Sequence, residues 1–155
     1  AWPDGRIYTG EFIKGMVEGR GQLTWPNGKK IIGNFEKGLI NGQGEMNHAD
    51  GRKYIGNFQT GKKHGRGTFS WPDGRLYMGE FVKDSFQGEG TYIWPNKDRY
   101  QGNFIKGMPQ GKGTYVHADG IKFDGIFRDG LPWKGQEIDI DGRQIRRYIS
   151  GKSVE

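Results

Sequence analysis

The segment DGRIYTGEFIKGMVEGRGQLTWPNG, residues 4–28, decides the fold because its pattern recurs every 23 residues. The phenylalanine that ends its Tyr-x-Gly-x-Phe element recurs six times without a gap, and so does the glycine two residues before it. These columns are Phe12, Phe35, Phe58, Phe81, Phe104 and Phe127, and Gly10, Gly33, Gly56, Gly79, Gly102 and Gly125. A fixed period of this length is the signature of a repeat architecture.

Within each copy the recurring residues are spaced two apart, as Tyr8, Gly10 and Phe12 show. This spacing places side chains on one face of a β-strand. Each copy therefore predicts two strands that pair as a hairpin. In the first copy the predicted elements are strands at residues 6–14 and 20–25, a hairpin turn at 15–19, and a second turn at Trp25-Pro26-Asn27-Gly28.

The composition favours a sheet that buries rings without a second layer. Glycine occurs 29 times in 155 residues and aromatic residues make up 14%, whereas hydrophobic residues total only 32%. The recurring glycines share a face with the aromatic columns, so each leaves a hollow on which a ring from a neighbouring strand can lie. We predict an all-β fold, an elongated single-layer antiparallel meander of stacked 23-residue β-hairpins, twisted and curved.

We predict one array over residues 1–151, with about six and a half copies. The repeat boundaries lie near residues 5, 28, 51, 74, 97, 120 and 142. Residues 130–155 lose the pattern, and we interpret them as a degenerate C-terminal cap and tail, formed by a closing strand or short helix, or as a docking element. The start, Ala1-Trp2-Pro3-Asp4-Gly5, matches the end of a copy and has no initiator Met. We therefore expect a piece of a longer protein, the alternative being a processed start.

The chemistry-bearing residues form no catalytic or metal-binding pattern. The chain has no Cys and three histidines, of which His48 and His117 occupy the tryptophan column and substitute for its rings. An open sheet gives paired carboxylates no shared pocket for acid–base catalysis. The Gly-x-Gly copies lead into no helix that would bind phosphate. We therefore predict no enzymatic activity, no catalytic residue, no metal site and no cofactor.

The recurring pattern resembles the MORN (membrane occupation and recognition nexus) repeat. Residues 8–12 and 77–81 are close to its signature, and Gly88-Glu89-Gly90 and Gly111-Lys112-Gly113 match its second half. The resemblance implies stacked hairpins that act as scaffolds in cilia, membrane junctions or the cytoskeleton, or as an accessory to a kinase or methyltransferase domain. It also implies three modes of interaction: protein segments in a groove, proposed phospholipid binding, and dimerisation through array ends.

Three positions depart from the repeat. Ile31 stands where other copies have a ring, and Asp84 and Lys97 stand where other copies have glycine. We expect the geometry to be least uniform there.

The aromatic columns supply the candidate partner-binding site. A curved sheet would present them as a long groove, in which each tyrosine hydroxyl stays in contact with water while its ring packs. The candidate residues are Tyr8, Tyr54, Tyr77, Tyr100, Trp25, Trp71 and Trp94. The alternative is that these rings only hold the sheet together.

Basic residues supply a second candidate surface on a chain with a formal net charge of +6. Lys14, Lys37, Lys83 and Lys106 form a column beside the hairpin turn, and Lys62, Lys63 and Arg66 cluster around the third turn. They are candidate contacts for anionic lipid or an acidic partner. The alternative is a role in solubility and edge protection. We do not expect nucleic-acid binding, because the rings are needed to fill the glycine hollows.

These observations predict a non-catalytic scaffold that holds partner protein segments within a ciliary or cytoskeletal assembly. Three alternatives stay open: a peripheral membrane module that binds anionic phospholipids, an accessory domain of a larger enzyme, and a homodimer formed through the array ends. We expect a cytoplasmic location, associated with the cytoskeleton, a cilium or a membrane, because a chain without Cys fits a reducing compartment. No apolar run is long enough to span a bilayer.

Overall fold

The computed structural model describes residues 1–154, and every regular element in that range is a β-strand. Glu155, the last residue of the predicted tail, lies outside the described residues. The strands are β1 (Ile7–Ile13), β2 (Met16–Thr24), β3 (Lys30–Glu36), β4 (Leu39–Asn47), β5 (Lys53–Gln59), β6 (Lys62–Ser70), β7 (Leu76–Val82), β8 (Ser85–Ile93), β9 (Arg99–Ile105), β10 (Met108–Val116), β11 (Lys122–Arg128), β12 (Leu131–Ile138), β13 (Gln144–Ile149) and β14 (Lys152–Val154). The all-β prediction is confirmed.

The chain divides into two compact units, each of which is a meander. The first comprises Ala1–Pro72 and Phe81–Asp84, and the second comprises Asp73–Glu80 with the chain from Ser85 onward, so that β7 contributes to both. Strand order follows chain order from β1 to β6 in the first unit and from β8 to β14 in the second. Neighbouring strands in these runs pair antiparallel. The predicted single-layer antiparallel meander is therefore confirmed within each unit.

Each hairpin closes through a two-residue turn, which corrects the placement of the turn at residues 15–19. β1 ends at Ile13 and β2 begins at Met16, and the intervening Lys14 and Gly15 have φ angles of 50° and 79°. Positive φ at both central residues defines the type I′ turn, whose twist matches that of paired strands. The turn was predicted at the wrong residues because a lysine in the left-handed region costs roughly 1–2 kcal/mol. The stretch bounded by Gly15 and Gly19 therefore looked more favourable for a turn than Lys14 and Gly15.

Gly19, at the end of the turn predicted from the sequence, lies inside strand β2. Gly19 has a φ of 67°, and the strand register shifts opposite it, between Gly10 and Phe12. The shift leaves two extra residues on β2, and the left-handed conformation at Gly19 is one that glycine adopts at little cost. Its equivalents Gly42, Gly65, Gly88 and Gly111 have φ angles between 75° and 78°.

The turn between hairpins lies at the predicted residues, 25–28, and is formed by the predicted residue types. The Gly28 amide donates to the Trp25 carbonyl at 3.0 Å, and the Asn27 side chain accepts from the Lys29 amide at 3.0 Å. Proline at the second turn position and Asn or Asp at the third suit this geometry. The side chains of Trp25 and Lys29 therefore lie opposite each other at this end of the strands.

The core of each unit lies on one face of its sheet. The buried hydrophobic side chains all lie in register with the tyrosine column, whereas their sequence neighbours point to the other side. We call the first the aromatic face and the second the polar face. Residues such as Arg20, Gln43 and Thr68 lie on the polar face.

Tyrosine rings lie over pairs of glycines, as the sequence predicts. A Cβ atom added at Gly56 or Gly67 would come within 2.6 Å or 2.5 Å of the Tyr54 hydroxyl, and Tyr77 lies in the same way over Gly79 and Gly90. Each glycine pair faces across the hairpin that carries its ring. The absence of side chains at these positions is therefore what lets the ring lie flat on the sheet.

The second hairpin keeps this arrangement without a tyrosine. Ile31 is too short to reach the glycine pair, and the Ile40 side chain covers it instead. A Cβ atom added at Gly33 or Gly44 would lie 3.0 Å or 2.6 Å from the Ile40 Cδ1 atom. Both isoleucines are buried, so the departure at Ile31 changes which residue fills the hollow rather than leaving it empty.

Candidate partner-binding face

The structure places the four candidate tyrosines beneath the aromatic face. Tyr54, Tyr77 and Tyr100 have no exposed surface, and Tyr8 retains 8%. The hydroxyls of Tyr54, Tyr77 and Tyr100 donate to the backbone carbonyls of Asn57, Glu80 and Asn103 at 2.7, 2.8 and 3.0 Å. The expectation that these hydroxyls stay in contact with water is therefore wrong. Burial raises the pKa of each tyrosine, to about 12 for Tyr100.

Phenylalanines from the next copy close over these tyrosines. Phe35 meets Tyr8 edge-to-face with ring centroids 5.2 Å apart, and Phe104 meets Tyr77 in the same way at 5.1 Å. Phe12, in the first of the described strands, is 56% exposed, whereas the other five phenylalanines of its column are at most 4% exposed. Neighbouring copies therefore build an aromatic floor within each unit. Direct contact between a partner and the tyrosines remains a prediction, and it would require the covering side chains to move.

A variable residue, which we call the cover residue, lies above each floor ring. Five of these residues pair with the column phenylalanine at the hairpin end, and the sixth, Phe86, is identified by its stacking on Tyr77. The cover residues are Val17, Ile40, Lys63, Phe86, Pro109 and Pro132. Phe86 stacks on Tyr77 with ring centroids 3.8 Å apart, whereas the Lys63 ammonium lies 5.8 Å from the Tyr54 ring centre. The surface chemistry thus changes from copy to copy over a constant floor.

The candidate tryptophans keep exposed surface. Trp25, Trp71 and Trp94 are half-buried at the strand ends of the aromatic face. In the second unit, the Trp94 ring lies 4.7 Å from Tyr92 and 5.2 Å from Tyr115. Sequence analysis missed both tyrosines, because their column begins with Leu23 and Met46, although the two-residue spacing could have identified them. Rigid, half-exposed rings of this kind dominate many protein interfaces.

Asp98 is the one buried charged residue in the described part of the chain, with 8% of its surface exposed. It accepts hydrogen bonds from the Tyr115 hydroxyl at 2.5 Å and from the Ala118 amide at 2.9 Å. The hydrogen bond from Tyr115 is the main reason that the pKa of Asp98 is lowered, whereas burial is the main reason that the pKa of Tyr115 is raised. Asp98 thus fixes Tyr115 beside Trp94.

The first unit carries cations on its aromatic face instead. The Lys29 ammonium lies 4.6 Å from the Trp25 ring centre, and the Lys63 ammonium lies 5.7 Å from that of Phe69. Burial and the nearby charge of Lys63 lower the pKa of Lys29, while Asp84 opposes them. Burial, followed by the charges of Arg52 and Lys29, lowers the pKa of His48. These groups therefore share one electrostatic environment.

The candidate lysine column lies in the hairpin turns rather than beside them. Its four residues, Lys14, Lys37, Lys83 and Lys106, are exposed and have φ angles of 48° to 50°. Lys62, Lys63 and Arg66 do not share one surface. Strand alternation places Lys62 and Arg66 opposite Lys63, whose ammonium reaches Tyr54 on the aromatic face.

Over residues 1–154, no group of three or more His, Asp or Glu side chains could hold a metal ion. In the same range, no helix is long and apolar enough to cross a membrane.

Comparison with known families identifies the repeat. The MORN repeat model matches five consecutive segments, residues 8–30, 32–51, 54–74, 77–99 and 100–122. The chain belongs to the MORN repeat family. The matched MORN segments begin in β1 and end at the start of β11, so they contain the candidate tyrosines and tryptophans. No curated relative matches the chain.

Two solved structures are similar to this MORN array at low identity. The SAS-4 (dCPAP) TCP domain of Drosophila melanogaster, in complex with a proline-rich motif of Ana2 (dSTIL), is 13% identical with a TM-score of 0.57, over 92% of this chain and 77% of that one. The wild-type TCP10 domain of Danio rerio CPAP, in complex with a STIL peptide, is 19% identical with a TM-score of 0.36, over 99% and 74%. The TM-score of the first match shows a common fold, whereas the TM-score of the second is too low to show one.

Proposed function

We propose that this MORN array is a non-catalytic scaffold that holds an extended segment of a partner protein against its aromatic face. The observation that carries the proposal is a buried floor of rings in each unit with half-buried tryptophan rings beside it at the strand ends. The floor tyrosines are held by hydrogen bonds and edge-to-face contacts. The tryptophan rings also pack on ordered neighbours, since Trp71 lies 4.4 Å from Phe69 in the first unit and Trp94 lies 4.7 Å from Tyr92 in the second. Because little side-chain freedom is then lost on binding, such a surface is preorganised.

Two comparisons support this proposal. Membership of the MORN family supports an interaction role rather than catalysis. The SAS-4 TCP domain, which has a similar fold, is in complex with a proline-rich motif. Extended proline-rich segments commonly dock on rows of aromatic rings. We place the assembly in the cytoplasm, at the cytoskeleton or a cilium, as the family resemblance suggests.

The experiment separates the two faces. Peptides selected from a random display library on the wild-type array are titrated against a variant with Trp25→Ser, Trp71→Ser and Trp94→Ser. The matched control carries Ile32→Ser, Ile55→Ser and Met78→Ser, which replace exposed apolar residues on the polar face. We expect the tryptophan variant to bind about tenfold more weakly or worse, since aromatic anchors supply most of the binding energy at such interfaces.

The control variant should bind within about twofold of wild type, because its three residues lie outside the proposed interface. Circular dichroism and thermal unfolding confirm that both variants fold. Equal losses in the two variants, or a loss only in the control, would contradict the proposed site.

A second candidate is binding to an anionic membrane, favoured by the hairpin ends. Exposed apolar side chains flank the turn lysines, as Ile13 and Met16 do at Lys14, and Ile105 and Met108 do at Lys106. Side chains of this kind can insert at a lipid interface while lysines meet headgroups. The test is binding to phosphatidylserine vesicles after Lys→Asn substitution at all four turn lysines, because asparagine tolerates the same turn. Undiminished binding would dismiss this role.

The remaining alternatives concern other assemblies. A homodimer formed through the array ends predicts a doubled mass in sedimentation. An accessory role in a larger enzyme predicts a catalytic domain on the same polypeptide, and in that case the aromatic face would take a segment of that enzyme or of its substrate.

A further inference from the structure

Lys29 differs from the basic residues at the same position in other copies. Arg6, Arg52 and Arg75 each pair with an aspartate two residues earlier in the turn, at 2.7, 2.8 and 2.8 Å. The turn before Lys29 carries Asn27 instead, and this residue accepts only the Lys29 amide. Within the described 154 residues, Lys29 forms no ion pair, and its ammonium faces only the Trp25 ring.

Around Lys29 the positive charge of Lys63 outweighs the negative charge of Asp84. Lys63 lies close enough to lower the pKa of Lys29, and Lys29 in turn lowers the pKa of His48. The carboxylates nearby already have partners, since Asp84 lies 3.0 Å from the Lys63 ammonium and Asp50 lies 2.8 Å from Arg52. One half-buried cation on this face is therefore left uncompensated.

The column of side chains two residues before the Trp25 position is apolar. Leu23, Met46 and Phe69 are at most 8% exposed, and Trp25 is half-buried. An ammonium over such a surface is partly desolvated, so an ion pair formed there is stronger than one in open water. The apolar neighbours would in turn accept the flanking side chains of a bound segment.

We propose that Lys29 and Trp25 form a subsite for a carboxylate side chain of an acidic partner segment, with Lys63 reinforcing the positive field. This subsite rests on the proposed scaffold function and names the chemistry of its partner in the first unit. A protein segment fits better than a membrane, because Lys29 lies at the strand end away from the exposed turn lysines.

The probe is a fluorescent peptide of repeated Glu-Leu-Pro-Gly units, compared with the same peptide carrying Gln for Glu. Anisotropy is measured at low salt with the full chain and three variants. Lys29→Gln removes the charge, and Asn27→Asp supplies an internal carboxylate like those of the other turns. Lys30→Gln is the matched control, because strand alternation places Lys30 on the polar face.

We expect the Glu peptide to bind more tightly than the Gln peptide, and Lys29→Gln to weaken its binding about tenfold, the effect of losing one partly desolvated charge pair. Asn27→Asp should weaken it in the same direction without removing the lysine, and Lys30→Gln should bind as wild type does. Unfolding temperatures identify any variant that fails to fold. If Lys29→Gln fails to fold, the Asn27→Asp variant still tests the subsite.

Equal binding of the two peptides, or equal losses in Lys29→Gln and Lys30→Gln, would overturn the subsite. So would Lys29-dependent binding to phosphatidylserine vesicles with no peptide binding, which would assign the charge to lipid. If library-selected peptides still require the tryptophans but ignore Lys29, the subsite fails and the scaffold proposal stands.

Discussion

The Lys63 ammonium lies 3.0 Å from the Asp84 Oδ1 atom, which also accepts a hydrogen bond from the Lys63 amide at 2.9 Å. The Asp84 amide donates to the Lys63 carbonyl at 2.9 Å, so the two residues are joined three times. Lys63 is the charged cover residue among apolar ones, and Asp84 has a φ of 75° where the equivalent turns have glycine. The two departures from the repeat therefore compensate each other.

A double-mutant cycle measures this compensation. Lys63→Ile restores an apolar cover residue, and Asp84→Gly restores the usual turn. We expect each single change to leave a partner without its counter-charge, so that the pair shows a coupling of about 1 kcal/mol in urea unfolding. The double variant should therefore be more stable than the two single losses predict. Additivity within about 0.3 kcal/mol would show that the residues act independently.

The second prediction tests the ring-over-glycine contact. A Cβ atom at Gly90 would lie 2.6 Å from the Tyr77 hydroxyl, whereas one at Gly107 would meet nothing within 4 Å, although its φ is 83°. Gly90→Ala must displace a buried ring and should lower the free energy of unfolding by about 2–4 kcal/mol. Gly107→Ala incurs only backbone strain of about 1 kcal/mol. Similar losses in the two variants would mean that the ring does not need the glycine.

The third prediction concerns stability at alkaline pH. Burial raises the pKa of Tyr100 to about 12 from an ordinary value of 10.0. Above pH 10 the unfolded chain loses this proton first, so the folded state binds more protons and stability falls as pH rises from 10 towards 12. Below pH 10.0 the contribution is fully present. Urea unfolding of Tyr100→Phe should show a shallower decline over this range. An unchanged slope would mean that Tyr100 titrates normally in the fold.

The fourth prediction concerns Asp98 and Tyr115. Tyr115→Phe removes the hydrogen bond that chiefly lowers the pKa of Asp98. We expect the Asp98 pKa to rise in this variant, as read from carboxyl chemical shifts. A lowered folded pKa contributes stability above the ordinary value of 3.8 and loses it as pH falls, so the variant should gain less stability between acid and neutral pH. An Asp98 pKa equal to that of wild type would show that the hydrogen bond has little effect.

Much of the fold could be predicted because the repeat encodes both its period and its faces. The two-residue spacing of Tyr8, Gly10 and Phe12 predicted which side chains share a surface, and the rings do lie over glycines. The hairpin turn could not be predicted in this way. Lys14 adopts a left-handed conformation that local preferences disfavour, and strand pairing on both sides overrides them.

The candidate site could be predicted only in part, because burial depends on neighbouring copies. The sequence identifies Tyr77 as an aromatic residue, but Phe86 and Phe104 cover it from positions that only the strand register reveals. The contact between Asp98 and Tyr115 likewise joins residues 17 apart in the chain. The three tryptophans stand at strand ends, where coverage is incomplete and the rings stay half-buried, and their role in partner binding remains a prediction.

The most direct test of the binding face is paramagnetic broadening by a spin-labelled peptide selected on the wild-type array. The indole N–H signals of Trp25, Trp71 and Trp94 report on the aromatic face, and the methyl signals of Ile32, Ile55 and Met78 report on the polar face. We predict broadening of the indole signals with little change in the methyl signals. Broadening of the methyl signals, with the indoles unaffected, would contradict the proposal that the aromatic face holds the partner.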